Sequence, residues 1–325
     1  VDINDVDRFA DHWLWAAIPV HTIPFTTPHL APVIHYPFNE AAGVLANDSG
    51  TGSHDADVLG EVIWEPTGGR NSAGCITLNS LPSYNSRVEV PIAAFDFMND
   101  AAHHNNTGNG GSVSFSMWIN ADLTVGDSMT NNWATVFSVW GSPWGNSGLA
   151  WLSLPASFGY PSANFQQHPV PEWTAPGEAT AGTGQMSPSF FGGKWNHWAA
   201  VKSEPNKLIL YCNGSVVATN TSAAVEAAPL FKLPIQSFRI GMRGGEWSNW
   251  GKWSGKMQDF KVWDYALDAN EVAYEATDGT GVVEFIPLVS NSNFITTGTE
   301  ADQVVNFADL TTLCDQWRLQ VLWPE

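Results

Sequence analysis

Aromatic side chains are the residues of this chain best suited to contact a ligand. The sequence has 17 Trp, and three of them recur every third residue in a stretch rich in Gly, Ser and Asn. Aromatic faces stack on the C–H surfaces of sugars, usually beside polar side chains. The pattern indicates either a glycan-binding surface or rings that pack beneath long loops. The residues concerned are Trp144, Trp173, Trp247, Trp250 and Trp253.

The patterns of common catalytic sites do not occur in this sequence. Retaining glycosidases use two carboxylates, often spaced as E-x-D-x-x-E so that alternate residues share one face of a strand. The closest acidic pairs are Glu61/Glu65, which precedes a proline, and Glu271/Glu275, which lies on a predicted short helix. The motifs G-x-S-x-G, H-E-x-x-H, C-x-x-C and the P-loop are also missing. We therefore expect a protein that is not an enzyme.

The charge balance is strongly acidic, with 32 Asp and Glu against 13 Lys and Arg and a net charge of -19. A negative field repels nucleic acid and anionic membranes and favours cations, so no nucleic-acid partner is expected. No apolar run reaches 18 residues, and no membrane insertion is expected. The chain begins at Val1 without a signal peptide, which we interpret as a processed N-terminus of an extracellular or cell-surface protein.

Covalent modification is permitted at several positions. Three cysteines are too few for a disulfide framework, and Cys75 and Cys212 are either bridged or free. N-x-S/T sequons allow glycosylation, although such triplets often arise by chance. They lie at Asn47, Asn105, Asn213 and Asn220.

The elements that would position these residues are mostly strands. From Val33 to about Tyr274, short apolar runs alternate with clusters of Gly, Asn, Asp, Ser and Pro, which predicts an all-β, two-sheet antiparallel jelly-roll sandwich. Asp268 and Glu271 have the spacing of a capping box and predict one short helix. The resulting organisation is a terminal segment at 1–18, a linker at 19–32, the sandwich at 33–276, a linker at 277–302 and a terminal segment at 303–325.

A short helix is predicted at each end of the chain, over Asp5–Trp15 and Asp309–Leu319. Each has an apolar stripe and needs a partner to bury it. Pairing between neighbouring molecules would give a head-to-tail structural filament at the cell surface. Pairing within one molecule would instead give a monomeric carbohydrate-binding or adhesion module. We expect the filament, with contacts through Phe9, Trp13, Leu14, Leu310, Leu313 and Trp317.

Several segments together resemble the laminin-G-like, concanavalin A-type domain of bacterial surface proteins. In order, they correspond to the family's opening strand and turns, a central strand, a hairpin and the closing strands. This resemblance implies a jelly roll with a lectin-like or structural role. The segments are Ile34–Gly43, Asn47–Gly50, Ser114–Ile119, Lys194–Val201, Leu210–Gly214, Phe238–Gly241 and Trp253–Leu267.

The same resemblance implies a structural Ca²⁺ held by hard oxygen ligands of the opening turn and the closing strand. The matching positions are Asn39 and Gln258, with Asp48 and Asp259 nearby. The terminal segments resemble halves of a dockerin-type repeat, a Ca²⁺ loop followed by a helix. In its C-terminal half, the resemblance places Asp302 and Asp309 at ligand positions, but other ligand positions lack the required residues.

Overall fold

A computed structural model describes residues 21–22, 30–79, 85–99, 112–122, 134–141, 149–153, 163–168, 179–183, 193–203, 207–222, 235–243, 251–279 and 282–283. Contacts divide the chain into two compact units. The smaller contains both ends, Val1–Pro24 and Thr280–Glu325, and the larger is Phe25–Gly279. The predicted terminal helices and their assembly residues lie outside the described residues.

The described elements are almost all short strands. In chain order they are β1 (His21–Thr22), β2 (Ile34–Tyr36), β3 (Leu45–Ala46), β4 (Ala56–Leu59), β5 (Ile63–Glu65), β6 (Cys75–Leu78), β7 (Arg87–Val90), β8 (Val113–Ala121), β9 (Thr135–Gly141), β10 (Leu149–Ser153), β11 (Asn164–His168), β12 (Ala179–Gly182), β13 (Asn196–Ser203), β14 (Lys207–Cys212), β15 (Ser215–Asn220), β16 (Ile235–Ile240), β17 (Gly255–Trp263), helix α1 (Ala269–Glu275) and β18 (Val282–Val283). Two short 3₁₀ segments lie at Arg70–Ser72 and Ile92–Asn99.

The larger unit consists of two antiparallel sheets. The front sheet has the spatial order β12-β11-β10-β9-β16-β7-β4-β3. The back sheet has the order β15-β14-β13-β8-β17-β6-β5, and β2 also pairs with β17. This architecture confirms the two-sheet antiparallel arrangement predicted from the alternating apolar runs.

Aromatic rings fill the space between the sheets. Phe115 of the back sheet stacks on Phe137 of the front sheet, with ring centroids 4.5 Å apart. Phe238 meets Phe260 at 5.8 Å, and all four rings are completely buried. Because strand side chains alternate between faces, the neighbours of Phe137 and Phe238 in the chain point away from this core.

The closing strand β17 joins the opening strand at a bulge. Asp259 has φ +56°, and the register of β17 against β8 shifts between Gln258 and Lys261. The Asp259 carboxylate accepts a hydrogen bond from the ring of His35 in β2, with Nε2 and Oδ1 2.7 Å apart. The bulge thereby connects two segments that are distant in sequence.

Helix α1 begins with the predicted capping box, which is confirmed. The Asp268 carboxylate accepts hydrogen bonds from the N–H groups of Asn270 and Glu271, and the Glu271 side chain accepts the N–H of Asp268. The helix buries Val272 against a back-sheet cluster that includes Trp263. No helix in the described part of the chain is long and apolar enough to cross a membrane.

In the smaller unit, the described residues form one antiparallel pair. His21 of β1 lies opposite Val283 of β18, and Thr22 lies opposite Val282. Segments from the two ends of the sequence therefore pair within one molecule.

Both described cysteines are free and buried. Cys75 is in β6 and Cys212 is in β14, which are four strand positions apart in the back sheet. At a strand spacing of about 4.8 Å, the separation is far beyond the reach of a disulfide.

Candidate functional site

A row of mostly polar side chains crosses the outer face of the front sheet. Glu89 of β7 lies directly opposite Arg239 of β16 on one side and opposite Asp57 of β4 on the other. The row continues to Ser138 of β9 beyond Arg239 and to Leu45 of β3 beyond Asp57. The cross-strand row thus consists of one residue from each of five adjacent strands.

Alternation along the strands places this row on the side opposite the core. Val88 and Val90, which flank Glu89, are buried, and so are Ala56 and Val58, which flank Asp57. Glu89 and Asp57 therefore point outward. The local sequence in each strand is simply apolar, charged, apolar, and the pairing of β4, β7 and β16 assembles the row.

Two arginines hold the Glu89 carboxylate between them. Arg239 Nε donates to Glu89 Oε1 at 3.0 Å, and Arg87 Nε donates to Glu89 Oε2 at 2.8 Å. Partial burial alone would raise the pKa of Glu89, but the hydrogen bonds and positive charges of Arg87 and Arg239 outweigh it and lower that pKa. Glu89 is therefore ionised at neutral pH and has a fixed orientation.

Hydrogen-bonding capacity remains on both sides of this group. Within the described part of the chain, Arg239 uses only Nε, although a guanidinium carries five N–H donors. The exposed Asp57 carboxylate makes no hydrogen bond to any described residue. Like charges directly opposite each other, as in Asp57 and Glu89, normally destabilise a sheet. Within the described part of the chain, Asp57 and the terminal nitrogens of Arg239 therefore keep unused hydrogen-bonding capacity.

Most of the tryptophans predicted to bind glycans lie outside the described residues, namely Trp144, Trp173, Trp247 and Trp250. Trp253 is described, and it is completely buried. Its backbone N–H donates to the Gly241 carbonyl, and its ring lies against Gly255. An enclosed ring does not fit the predicted role of Trp253 as a surface for stacking sugars.

The residues matched to a calcium site use their oxygens to hold the protein backbone. Asp48 accepts hydrogen bonds from the N–H groups of His35, Gly50 and His54. The amide oxygen of Gln258 accepts the Arg70 N–H at 2.8 Å.

Asp259 is paired with His35 as described above, and Asn39 is exposed. No cluster of three or more His, Cys, Asp or Glu that could hold a metal occurs among the residues described. Calcium binding at Asn39, Asp48, Gln258 and Asp259 stays a prediction. Asp302 and Asp309 lie outside the described residues, and calcium binding there stays a prediction.

The sequons differ in how accessible their asparagines are. Asn47 is exposed, with its side-chain N–H bound to Glu40. Asn213 is buried in the β14–β15 turn, where its Nδ2 donates to Asn196 and its Oδ1 accepts the His197 N–H. Buried and bonded in this way, Asn213 does not fit a glycan acceptor.

Of the two remaining sequons, Asn220 is partly buried, and its Nδ2 donates to the Thr180 carbonyl. Asn105 lies outside the described residues.

A Ser–His–Asp chain at the opening turn does not have the surroundings of a hydrolase site. The Ser49 hydroxyl lies 2.8 Å from His35 Nδ1, and His35 Nε2 lies 2.7 Å from Asp259. An acyl-transfer site also needs N–H donors aimed at the developing oxyanion. Here the amides from Ser49 to Gly52 all donate to carbonyls or to Asp48. The chain of hydrogen bonds instead fastens β2 to β17.

The family comparison identifies the jelly roll. The family model described as the concanavalin A-like lectin/glucanases superfamily, of the laminin G type, matches residues 98–273, which is more than half of the chain. The chain belongs to this superfamily. The match confirms the family suggested by the ordered strand segments. No curated protein matches the chain in sequence.

Solved structures share the fold of this superfamily member at low sequence identity. The binding domain of Paraclostridial mosquitocidal protein 1 aligns with a TM-score of 0.52 and 15% identity over 76% of this chain and 52% of that one. The binding domain of botulinum neurotoxin DC with rat synaptotagmin II gives 0.51 and 14% over 76% and 52%. The same toxin domain with SialylT gives 0.50 and 14% over 76% and 51%. The chain spans about half the length of these proteins.

The cross-strand row is not predictable from the local sequence. The charged residues that form it, Asp57, Glu89 and Arg239, lie in segments far apart in sequence. The available local signal was a charged residue between two apolar ones in a strand, as at Glu89 and Arg239. That signal shows which face of a strand is polar, but the strand order decides which polar residues meet.

Proposed function

We propose that this protein is a non-catalytic, extracellular carbohydrate-binding module, and that the cross-strand row of the front sheet is its binding surface. The observation that carries the proposal is the alignment of Arg239, Glu89 and Asp57 on three adjacent strands, where the Arg239–Glu89 pair has a fixed orientation and the Asp57 carboxylate is exposed. Sugar hydroxyls both donate and accept hydrogen bonds, and such an array can pair with both functions. Membership of a superfamily that includes lectins supports this function.

The charge of the row favours a neutral glycan. Two arginines and two carboxylates balance each other, and Arg87 and Arg239 are already directed at Glu89. The whole chain has a net charge of -19, which disfavours uronic or sulfated polymers. One structure with the same fold is a complex with SialylT. It supports sugar binding by this fold in general. The class of ligand proposed for this chain, a neutral glycan, rests on the charges of the row and of the whole chain.

The protonation state of the row argues against glycoside hydrolysis. A glycosidase needs one carboxylic acid that is protonated at working pH. Glu89 is held ionised by two arginines, so it is unsuited to donate a proton. Binding without bond cleavage is therefore the proposed activity.

The position of the terminal segments supports a monomeric module. Strand β1 pairs with β18 within one chain, and one compact unit contains both ends. Neither the described part of the chain nor the comparisons support the head-to-tail filament expected from the sequence. The alternative interpretation, a monomeric module, pairs the two terminal helices within one molecule, and these helices lie outside the described residues.

The test is retention on neutral polysaccharides by affinity electrophoresis, with alginate and pectate as anionic controls. Asp57→Ala removes an exposed carboxylate that makes no bond to the described chain, so folding should be preserved. Loss of hydrogen bonds from a charged group costs about 1.5–3 kcal/mol, which predicts binding weaker by roughly 10- to 150-fold. Glu61→Ala, at another exposed acidic position, is the matched control and should bind like the parent.

Two results would contradict the proposal. One is the absence of retention on every neutral polymer tested. The other is equal binding by the Asp57→Ala and Glu61→Ala variants.

A further inference from the structure

Exposure falls steadily from one end of the cross-strand row to the other. Leu45, at the edge of the sheet, is 45% exposed and Asp57 is also exposed. The side chains of Glu89 and Arg239 are 29% and 18% exposed, and Ser138 is fully buried. The row is thus open at β3 and closed at β9.

The closed end is covered by the protein's own chain. Ser138 Oγ donates to the carbonyl of Met242, at 3.2 Å. Val136 and Trp140 lie on the same outer face of β9 as Ser138, and both are buried. The cover therefore extends along the described length of this strand and is not a local effect at Ser138.

Backbone hydrogen bonds also hold neighbouring chain beside the N-terminal part of β9, where the Gly241–Val136 bond continues the β16–β9 ladder. The Gly241 N–H donates to the Val136 carbonyl at 2.7 Å, and the Thr135 N–H donates to the Gly251 carbonyl at 2.8 Å. The Trp253 N–H in turn donates to Gly241. These bonds fix the chain that follows β16 and the chain that precedes β17 against the N-terminal part of β9.

We infer that the row binds the terminal sugars of a neutral glycan chain, with the chain end at Arg239 and the remainder leaving over Leu45. This inference rests on the proposed function of the same surface. A glycan aligned with the row can extend past the β3 edge into solvent but meets the cover at β9. The open part, from Arg239 to Leu45, spans three strand spacings, or about 14 Å, so the site accommodates a short terminal oligosaccharide.

The stoichiometry of binding tests this inference. The ligands are oligomers of increasing length from one linear neutral glycan that the protein retains. Isothermal titration calorimetry should give one protein per glycan chain at every length, because each chain has one matching end. A ratio of proteins to chains that grows in proportion to length would overturn chain-end binding while leaving carbohydrate binding intact. Absence of heat and of retention with every neutral glycan would overturn the proposed function and this inference together.

Two variants locate the chain end along the row. Arg239→Lys keeps the charge but loses the planar fork, and it should weaken binding at least 10-fold for all lengths, the shortest included. Leu45→Ala should weaken only the longer members, which reach the β3 edge. Far-ultraviolet circular dichroism and melting temperature establish that both variants are folded. The opposite pattern, in which Leu45→Ala affects the shortest ligand most, would overturn the assigned direction.

Discussion

Replacing His197 by leucine is expected to make the sandwich less sensitive to mild acid. His197 is completely buried in β13, and its ring is 5.3 Å from that of Trp118 in an edge-to-face arrangement. Its Nδ1 has no hydrogen-bond partner among the described residues. Burial, helped by the charge of Lys261 and opposed by Asp259, lowers its pKa from 6.5 to about 3.

The direction of the change in stability with pH follows from the pKa values of His197 in the folded and unfolded states. In the unfolded chain it takes up a proton near pH 6.5, whereas in the folded protein it stays neutral down to about pH 3. Lowering the pH through that window therefore favours the unfolded state. At 1.36 kcal/mol per pH unit, the loss between pH 7 and pH 5 is about 2 kcal/mol.

The assay is urea unfolding followed by circular dichroism at pH 7 and pH 5. Parent protein should lose about 2 kcal/mol more than His197→Leu between these values. Down to pH 5, Glu65, Glu89 and Asp259 stay ionised in the folded protein, because their pKa values are lowered there, and their titration in the unfolded chain is common to parent and variant. Leucine is similar in size and removes an unpaired polar atom, so the cost at pH 7 should be below about 1.5 kcal/mol.

Val201→Ala is the control, because it removes buried volume from the same strand without removing a titrating group. It should lower the free energy of unfolding equally at both pH values. If His197→Leu and parent protein lose the same stability between pH 7 and pH 5, the burial argument for His197 is refuted.

Two further predictions concern backbone strain and thiol chemistry. Gly241→Ala should cost roughly 1–3 kcal/mol in thermal unfolding, because Gly241 has φ +88° and an added Cβ would lie 2.7 Å from Leu78 Cδ1. Gly193→Ala is the control, because Gly193 has φ +70° but no atom within 4 Å of an added Cβ, so this variant has the backbone strain without the steric clash. Equal losses of stability in the two variants would contradict a clash with Leu78. Burial raises the pKa of Cys75 to about 11 and that of Cys212 above its ordinary value, so iodoacetamide at pH 8 should modify neither until urea unfolds the protein. Peptide mass spectrometry measures the labelling, and rapid modification of either thiol in the folded state would contradict this expectation.

The central strands were predictable because their apolar patterns are long. The segments Ser114–Ile119 and Lys194–Val201, named above for their family resemblance, correspond to the strands Val113–Ala121 and Asn196–Ser203. Both strands are central in the back sheet and buried almost throughout, so nearly every residue contributes to the signal. The capping box before helix α1 was also predictable, because its reciprocal hydrogen bonds join two residues that are three positions apart in the sequence.

Strands at the sheet margin were harder to predict. Asn164–His168 forms β11, although its sequence, Asn-Phe-Gln-Gln-His, contains a single apolar residue. Ala56–Leu59 is too short to show alternation with confidence from sequence, yet it supplies Asp57 to the row. Among the five tryptophans predicted to bind glycans, Trp253 is the one that the structure describes, and it is buried. Abundant aromatic rings mark a ligand surface only when the fold leaves them exposed.

The pairing of β1 with β18 gives the chain the topology of a hairpin whose loop is an entire folded sandwich. Tension applied to the chain outside His21 and Val283 is carried first by this two-residue ladder. While the ladder holds, the load passes from one flanking segment to the other without entering the sandwich. A glycan held on the front sheet would therefore be shielded from force transmitted along the polypeptide. The ladder would have to separate before that force reached the sandwich.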